Sequence, residues 1–275
     1  MEFFVTANGI PIHISVSGEG EKRTLLFLHG YLETLYIWDD FRSLLPAGYK
    51  SVAIDLPGHG LSGTHAQCND MKFYSDVLAS IAQKLKLSDI HIIGHSMGGY
   101  IGQRAIREYP GLFVSLTHFN SNPYADNPDK KKQRLKEIEL VENGRLVQLA
   151  QLAIPNMYAK QNLRKFDEKI HETIEMCETH DPFGISSTIR GLMTREDNVE
   201  FLRSTSTPIM FIFGDNDNYL PMDRANEIVA SLPKAKYHFI HETGHNSFIE
   251  KPTEVMNALT CFVESIPQSS NSNNQ

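Results

Sequence analysis

Cysteine is scarce in this sequence, and its distribution argues against two classes of protein. The 275 residues include three cysteines, Cys68, Cys177 and Cys261, which lie far apart and form no CxxC pair. An odd number of dispersed cysteines predicts neither a disulfide framework nor a thiolate metal site. This usage is typical of a protein from a reducing compartment.

The sequence also lacks a membrane segment and an excess of positive charge. Its first residues have neither the cationic region nor the unbroken apolar stretch of a signal peptide, and no apolar run approaches the roughly 20 residues that cross a membrane. The formal net charge is -7, whereas nucleic acids and anionic membranes are bound through surplus Lys and Arg. We therefore expect a cytoplasmic protein that binds a small-molecule substrate, with neither nucleic acid nor membrane as its partner.

Alternating strand and helix patterns indicate the fold class. The pair Asn8-Gly9 separates two β-rich runs and is a strong signal for a tight antiparallel hairpin. Short apolar runs follow, separated by helical patterns such as residues 73–87. The predicted strands after the hairpin are residues 24–28, 51–55, 89–94, 114–119, 209–214 and 236–240. We predict an α/β fold, a mostly parallel sheet with helices on both faces.

One long segment interrupts this alternation, because the patterns between residue 120 and about residue 207 are helical only. An all-helical insertion between two strands of a parallel sheet is interpreted as a lid over the carboxyl edge, where ligands of such sheets bind. The predicted organisation is a core in two parts, residues 1–119 and 208–266, with a helical lid of residues 120–207 between them. A flexible polar tail of residues 267–275 follows.

A candidate nucleophile stands in the stretch IIGHSMGGY. It contains the pattern G-x-S-x-G as Gly94, Ser96 and Gly98, after an apolar strand and before a segment that suits a helix. A serine at a sharp turn from strand to helix needs glycine two residues to either side, because larger side chains would collide. The turn exposes the hydroxyl of Ser96. Its position at a helix N-terminus also favours a developing oxyanion.

A second group that could stabilise an oxyanion follows an earlier strand. Gly30 lets the chain turn after that strand, so that the amide of Tyr31 faces the Ser96 hydroxyl. The neighbouring His29 is interpreted as structural. His59, in the loop AIDLPGHGLSG, could act as a base, but we expect it to brace the loop, because the nucleophile precedes the acid and the histidine in such folds.

The five residues HETGH, from His241 to His245, match the zinc-protease pattern H-E-x-x-H. Zinc binding requires both histidines on one face of a helix. The preceding run KYHFI favours a strand, however, and Gly244 disfavours a helix interior. We interpret this stretch as a strand end and loop that hold no metal, and His245 as a candidate general base.

The acid that orients this base should lie between Ser96 and His245 in the chain. The stretch FIFGDNDNYLP offers two carboxylates, Asp215 and Asp217, directly after a predicted strand. From the residues alone, either of them could be the acid.

Together these motifs resemble the α/β-hydrolase superfamily. The segments HGY, DLPGHGLS, GHSMGG, GDNDNYLP and ETGHNSFIEKP occur in the order and spacing of that family. The resemblance implies Ser96 as the nucleophile, His245 as the base and the amides of Tyr31 and Met97 as the oxyanion hole. The family pattern G-x-x-D-x-x-x-P, which fits Gly214 to Pro221, implies Asp217 as the acid. No metal or organic cofactor is implied.

The resemblance leaves the bond that is cleaved open. The first hypothesis is a serine hydrolase of small or medium carboxylic esters or thioesters, acting through an acyl-enzyme. The second is a carbon-carbon bond hydrolase, a lactonase or a lyase that uses the same triad. The third is a non-catalytic ligand receptor, which a complete triad disfavours.

The substrate pocket is predicted from residues beside the catalytic loops and in the lid. An apolar turn in the lid and apolar side chains near the loops favour medium acyl chains over charged acids. The predicted pocket residues are Trp38, Met157, Tyr158, Tyr219 and Phe248.

A basic run opens the helical segment, with Lys130, Lys131, Lys132, Arg134 and Lys136. Because acidic residues follow closely, we interpret this run as a solvated helix face, away from the pocket. The alternative is recognition of an anionic handle on the substrate, such as a phosphopantetheine carrier protein.

Overall fold

The structure is a computed structural model that describes residues 1–18 and 23–268. Most of the predicted polar tail, residues 269–275, lies outside the described residues. Among the helices in the described ranges, none combines the length and the apolar character that a membrane crossing requires.

The strands form one sheet of eight in the order β1-β2-β4-β3-β5-β6-β7-β8. The first two strands are an antiparallel hairpin, and β2 pairs antiparallel with β4. All later pairs are parallel. The strands are β1 (Glu2–Ala7), β2 (Ile10–Ser17), β3 (Arg23–Leu28), β4 (Tyr49–Ile54), β5 (Ile90–His95), β6 (Phe113–Phe119), β7 (Ile209–Gly214) and β8 (Lys236–Ile240). The predicted fold class is confirmed.

The predicted hairpin has the backbone that its sequence requires. Asn8 and Gly9 have positive φ angles of 49° and 79°. A two-residue turn of type I′ needs positive φ at both central positions, which Asn and Gly adopt most readily.

The helices cover both faces of the sheet. They are α1 (Asp39–Ser43), α2 (Met71–Lys84), α3 (Met97–Glu108), α4 (Pro128–Glu142), α5 (Leu146–Ala153), α6 (Asp167–Glu178), α7 (Pro182–Thr194), α8 (Val199–Ser204), α9 (Met222–Ser231), α10 (Ser247–Glu250) and α11 (Pro252–Glu264). Helices α2, α3 and α9 pack with one face of the sheet. Helices α1, α10 and α11 pack with the other face. The strands β3 to β7 therefore bury most side chains on both sides, which explains their continuous apolar sequences, whereas the edge strand β8 is partly exposed.

Helices α4 to α8 all lie between β6 and β7, and the described chain has no strand between these two. The sequence marks where two of them begin. Asn127 caps α4 and Asp181 caps α7, and in each case proline occupies the first turn, where the missing amide costs nothing. The helices share an apolar cluster that includes Val141 of α4 and Ile189 of α7. The short helix α8 was not predicted, since six residues give too little periodicity.

Candidate active site

Ser96 lies at the sharp turn between β5 and α3. Its backbone has φ 47° and ψ -107°, a conformation that a non-glycine residue rarely adopts. A Cβ atom on Gly94 would lie 2.4 Å from the backbone of Gly98, and one on Gly98 would lie 2.2 Å from the carbonyl oxygen of Leu28. Both glycines are therefore required for the turn, as the motif predicts. Ser96 is partly exposed and lines a cavity.

His245 lines the same cavity and is joined to Asp217. The Nδ1 atom of His245 lies 2.7 Å from Oδ2 of Asp217, and both side chains are almost fully buried. Since an ionised carboxylate only accepts hydrogen bonds, Nδ1 of His245 carries a proton here. The hydroxyl of Ser96 makes no hydrogen bond within the described residues. Such catalytic hydrogen bonds often form only when substrate binds.

The environment of Asp217 keeps its carboxylate ionised. The amides of Tyr219 and Leu220 donate to Oδ1 at 2.7 and 2.9 Å, and the side chain of Asn120 donates to Oδ2 at 3.0 Å. Burial favours the neutral acid, but the interaction with His245 and these hydrogen bonds outweigh it, so the pKa of Asp217 is lowered. An ionised Asp217 fixes the tautomer of His245 that leaves Nε2 free to accept a proton.

Asn120 is a site residue that the sequence did not indicate. Besides Asp217, its amide group donates to the carbonyl of Gly244 at 3.1 Å, and its Oδ1 accepts from the hydroxyl of Ser247 at 2.7 Å. It therefore connects the acid to the loop that carries His245. Asn120 directly follows β6, but no local motif distinguishes it from other polar residues at strand ends.

The second aspartate and the second histidine form a separate pair. Asp215 Oδ2 lies 3.1 Å from Nδ1 of His241, whose side chain is 79% exposed. The stretch from His241 to His245 is turn and loop rather than helix, as predicted. The two histidines of HETGH thus have different aspartate partners, and the described residues contain no group of three or more His, Cys, Asp or Glu that could hold a metal.

The predicted oxyanion hole consists of the loop after β3 and the first residue of α3. Among the described residues, no acceptor takes the amide proton of Tyr31 or of Met97. A Cβ atom on Gly30 would lie 2.7 Å from His95 Nδ1 and 2.8 Å from Glu33 Oε2, so only glycine fits between the two loops. Both amides are available to a ligand atom.

The histidines of the oxyanion region are structural in this arrangement. His29 accepts a hydrogen bond from the amide of Leu56 through Nε2 at 2.9 Å, and its Nδ1 lies 2.7 Å from the carbonyl of Gly30. The ring of His59 lies 5.1 Å from that of His29 and 5.3 Å from that of His180. Burial lowers the pKa of His59 well below its usual value, so that it stays neutral.

A buried polar network lies beneath the nucleophile and joins the oxyanion loop to the histidine loop. His95 Nδ1 lies 2.8 Å from Oε2 of Glu33, which also accepts from the Gly30 amide at 2.6 Å. His95 Nε2 lies 3.1 Å from the carbonyl oxygen of His245. Both partners of His95 are oxygen atoms, so its ring connects the side chain of Glu33 to the loop of His245. Burial opposes ionisation of Glu33, but His95 and the Gly30 amide lower its pKa.

The cavity at Ser96 and His245 has a volume of about 540 Å³. Of the predicted pocket residues, Met157 and Tyr219 line it, and the ring of Tyr219 lies 5.1 Å from that of His245. Tyr158 is buried outside the cavity wall, against Phe166.

The other two predicted pocket residues require a correction. Trp38 and Phe248 lie outside the cavity wall and pack against each other, with ring centroids 4.4 Å apart and ring planes tilted by 31°. They belong to the apolar cluster on the α11 side of the sheet, with Phe27, Phe41 and Phe119. Proximity to the catalytic loops in sequence does not determine the face of the sheet on which a side chain lies.

The interpretation of the basic run as a face away from the pocket is wrong in part. Lys130, Arg134 and Lys136 line the cavity, whereas Lys131 and Lys132 do not. The cavity wall is therefore charged along α4 and apolar where α5 contributes to it.

The family comparison agrees with this geometry. A family profile described as the alpha/beta hydrolase fold matches residues 23–252. The chain belongs to the α/β-hydrolase family. The match spans the sheet from β3 onward, the elbow at Ser96, the intervening helices and the loop of His245.

Curated proteins similar to this α/β-hydrolase include enzymes that are named for different substrates. A 2-hydroxy-6-oxononadienedioate/2-hydroxy-6-oxononatrienedioate hydrolase of Pseudomonas is 24% identical, over 85% of each chain. A monoacylglycerol lipase of Bos taurus is 23% identical, over 92% of this chain and 79% of that protein.

Two solved structures show the same fold. A thermophilic esterase from Thermogutta terrifontis has a TM-score of 0.88 and 23% identity, over 96% of this α/β-hydrolase and 98% of that chain. An enol-lactonase from Burkholderia xenovorans has a TM-score of 0.87 and 17% identity, over 95% and 100% of the two chains.

Proposed function

We propose that this α/β-hydrolase is a serine hydrolase that cleaves a small or medium carboxylic ester or thioester. In this proposal Ser96 is the nucleophile, His245 the base and Asp217 the acid. The amides of Tyr31 and Met97 form the oxyanion hole. The observation that carries the proposal is the His245–Asp217 contact of 2.7 Å, in a cavity that the strained Ser96 also lines.

The reaction begins when substrate brings its carbonyl carbon to Ser96. His245 Nε2 takes the proton from the Ser96 hydroxyl as Oγ forms a bond to that carbon. The negative charge that develops on the carbonyl oxygen is stabilised by the two free amides. Asp217 stabilises the imidazolium that forms, and the imidazolium then donates its proton to the leaving alcohol or thiol.

Water completes the cycle. His245 takes a proton from a water molecule that attacks the acyl carbon, and the acid is released as Ser96 regains its proton. Apart from the substrate and water, the groups that take part in these steps all belong to the chain itself.

Carbon-carbon bond cleavage is the second candidate function, because the Pseudomonas relative is named as a hydrolase of 2-hydroxy-6-oxononadienedioate, a keto acid whose name contains no ester. The same triad and oxyanion hole can serve several bond types. A lactonase or lyase activity would use the same residues. A receptor without catalysis is disfavoured, since the contact between His245 and Asp217 lies at the cavity that Ser96 lines.

A panel of substrates distinguishes these candidates. We expect purified protein to hydrolyse p-nitrophenyl esters or acyl thioesters, and to keep that activity after dialysis against EDTA. Turnover of a vinylogous 1,5-diketone with no ester turnover would instead assign the carbon-carbon candidate. Loss of ester turnover in EDTA would contradict the serine mechanism.

If the protein binds compounds of the panel but turns over none of them, the result would favour a non-catalytic receptor. The Ser96→Ala variant is the control for adventitious esterase activity. It removes only the hydroxyl group that accepts the acyl group in the proposed mechanism, and we expect it to keep the fold. We expect that variant to lose on the order of 10⁴-fold or more in kcat.

A further inference from the structure

Charge is distributed unevenly between the cavity and the rest of the protein. Two anionic side chains, Asp126 and Glu137, line the cavity. The cationic side chains that line it are Lys130, Arg134, Lys136, Arg195 and Arg224. The whole chain has a formal net charge of -7, so the substrate cavity is positive within a negative protein. Such a cavity concentrates anionic ligands.

The two acidic side chains are already bound to the two buried arginines. Asp126 lies 2.8 Å from Nη2 of Arg195 and 3.5 Å from Nε of Arg134. Glu137 lies 2.9 Å from Nη1 of Arg134. These side chains are between 1% and 10% exposed. Two positive and two negative charges therefore balance in one network of ion pairs. Both of its carboxylates already contact an arginine.

Three cations of the cavity wall remain, of which Arg224 pairs with Glu227 and Lys136 is exposed to solvent, so the partly buried cation without a carboxylate is Lys130. It is half-buried, and within the described part of the chain no carboxylate lies within 4.0 Å of its ammonium group, which donates to the Gln133 side chain at 3.1 Å. Desolvation by burial and the charge of Arg134 lower the pKa of Lys130, and the charges of Glu137 and Asp126 oppose this shift without cancelling it. A half-buried ammonium group beside a guanidinium costs free energy unless an anion offsets it.

The helix places this lysine on the substrate side. Lys130 and Arg134 are four residues apart on α4, so they lie one above the other on the same face. The guanidinium carbon of Arg134 lies 5.5 Å from the ring centroid of Tyr31, whose amide belongs to the proposed oxyanion hole. The cationic face of α4 therefore borders the place where the reacting carbonyl would lie.

We infer that the cavity takes a substrate with an anionic group of the carboxylate class, which binds Lys130 near Arg134 on α4. This inference rests on the proposed function for the site, and it names the substrate class. The apolar side of the same cavity, which includes Leu149 and Met157, would hold the hydrocarbon part of the substrate. The expectation of an uncharged acid is thereby replaced.

Matched esters test this inference. On the alcohol side, the butyrate ester of 4-hydroxybenzoate is compared with that of 4-hydroxybenzamide. On the acyl side, the p-nitrophenyl monoester of adipic acid is compared with p-nitrophenyl hexanoate. We expect the anion to raise kcat/KM at least about tenfold in one of the two pairs, as a hydrogen bond to a charged group does. The preference should fall with added salt.

Variants of the basic run assign the preference to one side chain. Lys130→Met should lower the ratio of anionic to neutral turnover about tenfold, and Lys130→Arg should keep most of the ratio. Lys131→Met is the matched control, because Lys131 is exposed and outside the cavity wall, and it should leave the ratio unchanged. An equal effect of both methionine variants would show a general charge effect and overturn the inference.

The outcomes separate this inference from the proposed function. Turnover of the neutral esters without preference in either pair would overturn the inference and leave the serine hydrolase in place. If no ester is turned over, titration of the Ser96→Ala protein with the four esters still decides. Tighter binding of an anionic ester than of its partner supports the inference, and equal binding overturns it.

Discussion

Two aspartates follow β7, and their different partners give them different expected roles. Asp217 holds His245 at 2.7 Å, whereas Asp215 pairs with the exposed His241 at 3.1 Å. We expect Asp217→Asn to lower kcat about 10⁴-fold, because an amide in this place favours the wrong tautomer of His245.

Asp215→Asn is the matched control for that substitution. It changes the same functional group two residues away, and we expect a loss of less than about threefold, since an exposed pair contributes little. Steady-state kinetics of both variants on one ester checks the prediction. The opposite order of losses would assign the acid to Asp215.

The predictability of single residues depends on whether their partners are close in sequence. Ser96 could be predicted because its constraint is local, a turn that needs glycines at positions 94 and 98. Glu33 and Asn120 could not be assigned roles, since their partners His95 and Asp217 lie 62 and 97 residues away. A single sequence does not record which distant polar groups meet.

At the scale of elements, α4 and α5 give the cavity two unlike walls. Leu149, Leu152 and Ala153 of α5 and the nearby Met157 form an apolar side. Each methylene that an acyl chain buries there should contribute up to about 0.8 kcal/mol, or roughly fourfold in kcat/KM. We expect kcat/KM for p-nitrophenyl esters to rise with chain length from acetate and fall once the cavity is full.

Two neighbouring residues test the apolar wall. Met157→Ala enlarges the cavity, so the optimum should move to longer chains. Tyr158→Phe is the matched control, because Tyr158 is buried outside the wall and the substitution keeps its aromatic ring. A flat profile from acetate to octanoate, unchanged in Met157→Ala, would show that this wall does not bind the acyl chain.

The sequence predicts where long strands and helices lie better than it predicts which side of each helix faces the cavity. Apolar strands and helix patterns identified the sheet and the helices on both sides, because burial on two faces leaves a continuous signal. From the sequence alone, the whole basic run of α4 is predicted to be one solvated helix face. In a helix, however, Lys130 and Arg134 share a face that Lys131 does not, and only the packing of α4 shows which face meets the cavity.

At the scale of the whole molecule, buried neutral histidines should make the protein sensitive to acid. Burial lowers the pKa of His118 to about 3 and that of His180 to about 4. In the unfolded chain both groups titrate near 6.5, so the unfolded state takes up protons first as the pH falls below that value. The stability that these groups contribute is therefore present above pH 6.5 and is lost as the pH falls to about 4 for His180 and about 3 for His118.

Unfolding in urea at pH 7 and pH 5 measures this effect. Each of these histidines should remove about 2 kcal/mol of stability between the two pH values. The His118→Asn substitution weakens packing at both pH values. It should also reduce the difference in the free energy of unfolding between pH 7 and pH 5 by about 2 kcal/mol. His171→Asn, at a side chain that is 67% exposed, is the control. If the His118→Asn variant shows the same difference in unfolding free energy as the wild-type protein, His118 does not cause this loss of stability in acid.

The central claim is that Ser96 carries the acyl group during turnover. The most direct measurement is mass spectrometry of protein quenched in acid during hydrolysis of a p-nitrophenyl ester, followed by peptide mapping. We expect one acyl group, on the peptide that contains Ser96, with a burst of p-nitrophenol of about one equivalent wherever deacylation is slower than acylation. The Ser96→Ala protein should carry none. An acyl group on another residue, or a fluorophosphonate probe that labels the wild-type protein elsewhere than at Ser96, would contradict the account.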